Sequence, residues 1–155
     1  LDGHAIEVRL YAENPSTGFL PTTGRVNLWR PAVTDHVRVD HGIASGAEIS
    51  PYYDSMLAKV IAHGPDRNTA RLRLLRSLGD SALLGVQTNR EFLIDVLKQS
   101  EFVSGNTDTG FIQEIYPGGI SDRVASFSDF ALAALVLYQN ELIKAETGMS
   151  MEVQP

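Results

Sequence analysis

Residues 5–11 of the sequence, AIEVRLY, alternate strictly between apolar and polar side chains. A period of two indicates a β-strand with one face turned to a core. The apolar face would carry Ile6, Val8 and Leu10, and the polar face Glu7, Arg9 and Tyr11. The alternation therefore places Arg9 on a polar sheet face between a carboxylate and a phenol.

Turn-forming residues separate this segment from further strand-like stretches. The runs NPSTG (14–18) and PTTG (21–24) are typical of turns, and shorter alternations follow at residues 25–29 and 36–40. Residues 56–62 are apolar except for Lys59, which indicates a more buried strand that Gly64-Pro65 would end. This succession predicts an antiparallel meander.

Two helices are predicted after the strands. Asp66 can cap a helix that reaches about Leu78, and Thr88 with Glu91 forms the pattern of a capping box for a second helix. The apolar face of the first helix would carry Leu72, Leu75 and Leu78, and its solvated face would carry Arg71, Arg73 and Arg76. The buried stripe of the second helix would consist of Phe92, Leu93, Val96 and Leu97.

A third helix is predicted from Ser126 or Ser128 to about Lys144. The run FALAALVLY (130–138) covers nearly all sides of such a helix, so it requires neighbours on more than one side. We interpret it as the start of another domain. Residues 147–155 show no periodicity and are expected to be frayed.

Composition excludes several classes of function. The 155 residues carry a net charge of −6, which disfavours binding to nucleic acid or to an anionic membrane. The absence of cysteine excludes disulfides and thiolate metal sites and suits a reducing cytoplasm. The longest apolar run, 130–138, is far shorter than the ~20 residues that span a bilayer. We expect a soluble bacterial cytoplasmic protein, and the opening at Leu1 suggests a segment of a longer chain.

Sequence motifs for complete catalytic sites are absent. No glycine-rich phosphate-binding pattern and no G-x-S-x-G elbow occurs. No metal site is expected, because the four histidines lack a ligand spacing; they are His4, His36, His41 and His63. Met149-Ser150-Met151 is similar to the Met-Lys-Met of biotin carrier domains, but serine cannot form the amide, so we reject it as a biotinylation site.

Arg9 and residues 52–55 stand out for their chemistry. Beside Glu7, Arg9 forms either a structural ion pair or an anion site, and the residues alone favour the structural alternative. The segment YYDS at 52–55 is dense in hydrogen-bonding groups and indicates a well-tied loop.

Several segments, in their order and spacing, resemble the biotin carboxylase family. They cover the first three quarters of the chain: GHAIEVRLYAENP (3–15), FLP (19–21), Gly24, Arg38, GI (42–43), Gly46, PYYDSMLAK (51–59), DR (66–67), GVQTN (85–89) and DTGF (108–111). With the apolar run that follows, they are similar to the biotin carboxylase C-terminal lobe in the α-subunit of a biotin-dependent acyl-CoA carboxylase of the acetyl-, propionyl- or methylcrotonyl-CoA type.

The resemblance implies chemistry for named residues. In the family, ATP and bicarbonate give carboxyphosphate, and the CO2 that it releases carboxylates the biotin ureido nitrogen. Arg9 matches the catalytic arginine that contacts the ureido oxygen of biotin and stabilises its enolate. Arg38 and Asp54 match residues of the family's homodimer interface, and Thr109 falls in the segment that approaches the adenine pocket.

The resemblance also implies cofactors and partners. Biotin would be attached to a carrier domain outside this chain, and ATP and magnesium would be bound mainly by ATP-grasp lobes preceding Leu1. Further partners would be a second biotin carboxylase copy and a carboxyltransferase β-subunit. The isolated chain is then expected to be inactive. The alternatives are a structural dimerisation module, or the same lobe from a pyruvate or urea carboxylase.

We expect an α+β fold, with an antiparallel, partly barrel-like sheet, two packed helices and an additional C-terminal helix. Residues 1–117 would form the biotin carboxylase C-terminal domain. Residues 118–155 would form a linker and the start of the following middle domain.

Overall fold

The computed structural model describes residues 2–121 and 124–149, with residues 140–149 described by their backbone alone. The chain divides into two compact units, Leu1–Ser121 and Asp122–Pro155. The strands of the first unit are β1 His4–Tyr11, β2 Glu13–Asn14, β3 Leu20–Pro21, β4 Gly24–Arg25, β5 Leu28–Arg30, β6 Val37–His41, β7 Glu48–Ile49, β8 Met56–Gly64 and β9 Ala82–Leu84. The helices of the first unit are α1 Arg67–Asp80, α2 Arg90–Val96, α3 Ser100–Ser104 and α4 Phe111–Ile115, and the second unit contains α5 Phe127–Met149.

The predicted α+β class is confirmed, with antiparallel strands and helices packed beside them. The largest sheet has the order β1-β8-β6, and three two-stranded sheets pair β2 with β3, β4 with β7, and β5 with β9. The meander prediction is wrong, because the partner of β1 is β8, about fifty residues along the chain. The alternation at residues 25–29 is divided between β4 and β5, which belong to different sheets.

One face of the three-stranded sheet packs against α1. The central strand β8 follows its apolar sequence, and it alternates its side chains between that packed face and the opposite one. The buried core cluster contains Val37, Val60, Ala62, Leu74, Leu78 and Leu97. The opposite face of this sheet carries the polar side chains of β1.

Helix α1 begins at the predicted cap, and two of the three leucines predicted for its apolar face, Leu75 and Leu78, pack into the core. The Asp66 carboxylate accepts a hydrogen bond of 2.8 Å from the Thr69 N–H, as expected for an N-cap. The buried side chains are Ala70, Leu74, Ser77 and Leu78. Leu72 is 47% exposed, so its predicted place in the apolar face is wrong. A spacing of three and four residues fits the Ala70–Leu78 stripe better, because it follows the helical turn of 3.6 residues.

The arginines of α1 are not all on a solvated face. Arg71 donates a hydrogen bond of 2.9 Å to the Leu97 carbonyl, and Arg73 donates one of 2.8 Å to the His63 carbonyl. Both side chains therefore tie the helix to neighbouring elements. Arg76 alone of the three is exposed as predicted.

The predicted capping box of the second helix is wrong. The N-cap of α2 is Asn89, whose side chain makes no capping hydrogen bond to this helix. Thr88 Oγ1 accepts only a 3.4 Å bond from the Arg90 N–H, and Glu91 is paired with the Arg90 guanidinium. The amide of Asn89 bonds to β1 instead.

Helix α5 begins after Ser126, one of the two predicted caps, whose hydroxyl accepts a hydrogen bond from the Asp129 N–H. It extends to Met149, beyond the predicted end near Lys144. The apolar side chains exposed on it are Phe127, Phe130, Leu132, Leu135, Val136, Leu137 and Tyr138. The frayed tail predicted for residues 147–155 lies outside the described residues from residue 150 onward.

Candidate functional site

A set of charged side chains shares the solvent-facing side of the three-stranded sheet. Arg9 on β1 is directly opposite Lys59 on β8, and Lys59 is directly opposite Asp40 on β6. In the next row, Ile61 stands between Glu7 and Arg38. Cross-strand partners point to the same side of a sheet. We call this the polar face and define it by Glu7, Arg9, Arg38, Asp40 and Lys59.

Arg9 is held loosely on the polar face. Its Nε atom lies 3.6 Å from Oε1 of Glu7, and the two side chains are 58% and 42% exposed. Hydrogen bonding to Tyr11, and then to Glu7, raises the pKa of the Arg9 guanidinium above its usual value. The group is a permanent cation on a side chain that is more than half exposed, which suits contact with an anionic oxygen.

Arg38 is paired more closely than Arg9. Its Nε and second terminal nitrogen donate to the two carboxylate oxygens of Asp40 at 2.8 and 2.7 Å. These hydrogen bonds hold the pKa of Asp40 below its usual range. A shallow cleft of about 250 Å³ lies beside this pair, with Asp35, His36 and His63 in its lining. The pair is exposed, so it is available for contact with another protein surface.

The loop at residues 52–55 is tied through its polar groups, as predicted. Asp54 Oδ1 accepts a 2.7 Å hydrogen bond from the Met56 N–H, and the Ser55 hydroxyl donates one of 2.7 Å to Glu13. The two tyrosine side chains, Tyr52 and Tyr53, are nevertheless 89% and 85% exposed. The loop has a fixed backbone that presents two aromatic rings to solvent.

The fold of one chain does not bring Asp54 and Arg38 together. Asp54 precedes the start of β8 at Met56, whereas Arg38 is opposite Ile61. Seven positions separate residues 54 and 61, a distance of roughly 20 Å along an extended chain. The assignment of these two residues to a dimer interface stays a prediction.

Thr109 lies outside the polar face, exposed in the turn before α4. The turn is shaped by Asp108, whose carboxylate accepts a 2.7 Å hydrogen bond from the Gly110 N–H. Phe111 is buried and anchors the helix that follows. No contact to a nucleotide follows from this geometry, so the role of Thr109 also stays a prediction.

Two residues of the site were missed by sequence reasoning. Lys59 is the direct neighbour of Arg9, and its signal was visible as the one charge in an apolar run. Asn89 is 5% exposed and bonds to the backbone of residues 9 and 11. No spacing rule could have paired Asn89 with β1, because the two lie about eighty residues apart.

The described part of the chain contains no cluster of three or more His, Asp or Glu side chains that could hold a metal ion. Among the same residues, no helix is long and apolar enough to cross a membrane.

Comparison with known proteins gives a family match over most of the first unit. A family model described as the biotin carboxylase C-terminal domain matches residues 7–114. Human mitochondrial pyruvate carboxylase is 44% identical over 115 residues, covering 74% of this chain and 10% of that protein. The mitochondrial methylcrotonoyl-CoA carboxylase subunit alpha of Dictyostelium discoideum is 37% identical over 150 residues, covering 95% of this chain and 21% of that protein.

A solved structure gives the same result. The biotin carboxylase domain of Hydrogenobacter thermophilus 2-oxoglutarate carboxylase, in complex with MgADP and bicarbonate, superimposes with a TM-score of 0.72 at 34% identity. The match covers 76% of this chain and 26% of that one. The chain thus spans between a tenth and about a quarter of the proteins compared. Because two of these relatives are mitochondrial, the bacterial cytoplasmic location stays a prediction.

Proposed function

The chain belongs to the biotin carboxylase C-terminal domain family, and on that premise we propose that it forms one wall of a site where biotin is carboxylated with ATP and bicarbonate. Arg9 is the residue that would act in this wall. The observation that carries the proposal is the exposed, loosely paired guanidinium of Arg9 on the polar face. A residue with a purely structural role would be expected to have closer partners, as Arg38 has.

Arg9 would stabilise negative charge on the ureido oxygen of biotin. When a base removes the proton from the ureido nitrogen, charge moves onto that oxygen, and the nitrogen can then attack CO2. A planar guanidinium can donate two hydrogen bonds to this oxygen without losing a proton of its own. Oε1 of Glu7 lies 3.6 Å from Nε of Arg9, and a guanidinium stays protonated at neutral pH.

The chain would supply only part of the reaction. The base and the ligands of magnesium–ATP would come from ATP-grasp lobes outside this sequence, which would activate bicarbonate. The biotin would arrive on a carrier domain, and a carboxyltransferase β-subunit would use the carboxylated product. MgADP and bicarbonate in the structure of the 2-oxoglutarate carboxylase domain support this choice of cofactors. Because a reactive site needs all its groups in one geometry, the isolated chain should be inactive.

We further propose that the whole protein is the α-subunit of an acyl-CoA carboxylase. In support, the match to the methylcrotonoyl-CoA carboxylase subunit of Dictyostelium discoideum covers 95% of this chain, whereas the match to human pyruvate carboxylase covers 74%. Residues 118–155 would then form the linker and the start of the middle domain. A pyruvate or urea carboxylase is the alternative, and the 44% identity to human pyruvate carboxylase within the first unit supports the pyruvate enzyme.

A structural dimerisation module is the second candidate function. The exposed Arg38–Asp40 pair favours it, because a bidentate ion pair on an open sheet face is suited to contact with another copy. Asp54 would contribute to the same assembly. In the intact enzyme, dimerisation and catalysis can both be functions of this domain.

Substitutions in the full-length carboxylase separate the two functions. Arg9→Ala should abolish carboxylation of free biotin while the protein keeps the molecular mass of the wild-type assembly. Arg38→Glu should lower that mass first, because it replaces the ion pair with Asp40 by two like charges two positions apart on β6 and reverses the charge offered at the contact. Carboxylation rates and light-scattering masses of both variants would decide. Normal turnover by Arg9→Ala would contradict the catalytic proposal.

A further inference from the structure

Strand β1 ends beside Asn89, whose side chain hydrogen-bonds to the outer edge of the strand. β1 is an edge strand, since β8 covers only one of its sides. On the other side, Oδ1 of Asn89 accepts a 2.9 Å hydrogen bond from the Tyr11 N–H, and Nδ2 donates one of 3.2 Å to the Arg9 carbonyl. The backbone N–H of Asn89 also donates to the Tyr11 carbonyl at 3.2 Å. Three bonds therefore fix the edge of β1 where Arg9 lies.

The side-chain amide of Asn89 imitates a neighbouring strand. In a pair of parallel strands, a residue of one strand hydrogen-bonds to the two neighbours of a residue i in the other strand. It accepts a hydrogen bond from the N–H of residue i+1 and donates one to the carbonyl of residue i−1. Asn89 makes both bonds around Leu10, with one primary amide in place of a backbone residue. The pairing of β1 with β8 shifts register between Leu10 and Tyr11, where a bulge interrupts the ladder. A bulge changes the direction of the neighbouring side chains. The Asn89 amide therefore holds β1 at the point where its pairing with β8 is interrupted.

The local structure gives up a favourable interaction to make this contact. Asn89 is the N-cap residue of α2, a position where an asparagine side chain commonly accepts a bond from the helix backbone. Here it makes no capping bond, and the side chain is committed to β1. At 5% exposure, its loss would leave the Arg9 carbonyl and the Tyr11 N–H without a protein partner at this edge.

We propose that Asn89 is a positioning residue for Arg9, an inference that rests on the proposed function. It fixes the backbone from which the guanidinium projects, at the Arg9 carbonyl and at the Tyr11 N–H on either side of Leu10. A displacement of about 1 Å in a reacting group can lower a rate by roughly 100-fold. Without Asn89, Arg9 would be present and charged but displaced from the ureido oxygen.

The test uses the full-length carboxylase with Asn89→Ala, Arg9→Ala, Arg9→Lys and the double variant of Asn89→Ala with Arg9→Lys. Biotin-dependent ATP hydrolysis is measured with free biotin and bicarbonate. We expect Asn89→Ala to lower kcat/KM for biotin by about 10- to 100-fold and to leave KM for ATP unchanged. In the Arg9→Lys background, which keeps a positive charge without the planar fork and leaves a residual rate to measure, the same substitution should cause little further loss, because both changes affect one function. A purely structural role would add its loss in either background.

Two further variants keep the result interpretable. Ser77→Ala is the matched control, because Ser77 is also buried and its hydroxyl donates a 2.8 Å hydrogen bond to the Ala32 carbonyl, away from β1. It should lower thermal stability without changing kcat/KM for biotin. If Asn89→Ala does not fold, Asn89→Ser, whose hydroxyl can replace one of the two bonds, should fold and show a smaller loss.

The outcomes separate the two proposals. If Arg9→Ala is inactive and Asn89→Ala or Asn89→Ser has normal kinetics, the inference about Asn89 is wrong and the proposed function stands. An equal loss of kcat/KM in Ser77→Ala would also overturn the inference, since a general loss of stability would then explain the effect. If Arg9→Ala is fully active, the proposed function fails and the role of Asn89 fails with it.

Discussion

Truncation of Leu74 should destabilise the chain far more than the same truncation two residues earlier. Leu74 is fully buried in the core between α1 and the three-stranded sheet, whereas Leu72 is 47% exposed on the same helix. Leu74→Ala removes apolar contacts and leaves a cavity, at a cost of about 2–5 kcal/mol. Leu72→Ala should change the free energy of unfolding by roughly 0.5 kcal/mol or less. Because both changes occur within one helix, the difference in helix propensity cancels.

Urea unfolding of this chain, followed by circular dichroism, measures the difference. The free energy of unfolding should fall by about 2 kcal/mol per molar urea. A loss of about 3 kcal/mol in that free energy for Leu74→Ala therefore lowers the urea midpoint by roughly 1.5 M. The midpoint for Leu72→Ala should stay close to that of the wild type. Equal losses for the two variants, or a larger loss at Leu72, would refute the packing described for α1.

Three other predictions concern the activity of the chain, the N-cap of α1 and the titration of Tyr116. The 155-residue chain alone should show no biotin-dependent ATP hydrolysis in a coupled assay, and turnover by it would contradict the proposed need for further lobes. Asp66→Ala should lower the urea midpoint through loss of the N-cap. Because hydrogen bonds to Thr69 lower the pKa of Asp66, the wild type should lose this advantage as pH falls through that lowered pKa, and urea midpoints at several acid pH values would show it. Burial and the hydrogen bond to Asp95 raise the pKa of Tyr116 to about 12, so the unfolded chain loses this proton first. Stability should fall between about pH 10 and 12 in the wild type but less in Tyr116→Phe, and tyrosinate absorbance should show the late titration.

The local elements of the fold could be predicted from sequence because their signals are local. Alternation identified β1, continuous apolarity identified β8, and Asp66 identified the start of α1. Helices α3 and α4 were missed because each has five residues, too few to display a period of 3.6.

Pairing and packing could not be predicted because they depend on contacts distant in sequence. The alternation of residues 5–11 does not indicate that β8 will be the partner of β1. The Leu72 assignment failed because three leucines with nearly helical spacing offered two possible faces, and only the sheet decides between them. The capping-box prediction failed because the N-cap residue is Asn89, which lies between Thr88 and Glu91. The side-chain amide of Asn89 hydrogen-bonds to β1 and not to the helix.

The sequence predicted the position of Arg9 on a polar sheet face but not the residues that surround it. Alternation placed Arg9 on a polar face, and the structure adds Lys59 and Asp40 from strands about thirty or more residues away. The resemblance to the family supplied the roles of Arg38, Asp54 and Thr109, which the geometry of one chain leaves as predictions.

Chemical rescue of Arg9→Ala tests the central claim most directly. Arg9 is 58% exposed on the polar face, so a small guanidinium ion can reach the space that its side chain leaves. In the full-length carboxylase, Arg9→Ala should lack biotin-dependent ATP hydrolysis, and guanidinium chloride below denaturing concentrations should restore part of it. Sodium chloride at the same ionic strength should not. Full activity of Arg9→Ala without rescue, or equal restoration by sodium chloride, would contradict a catalytic role for this guanidinium.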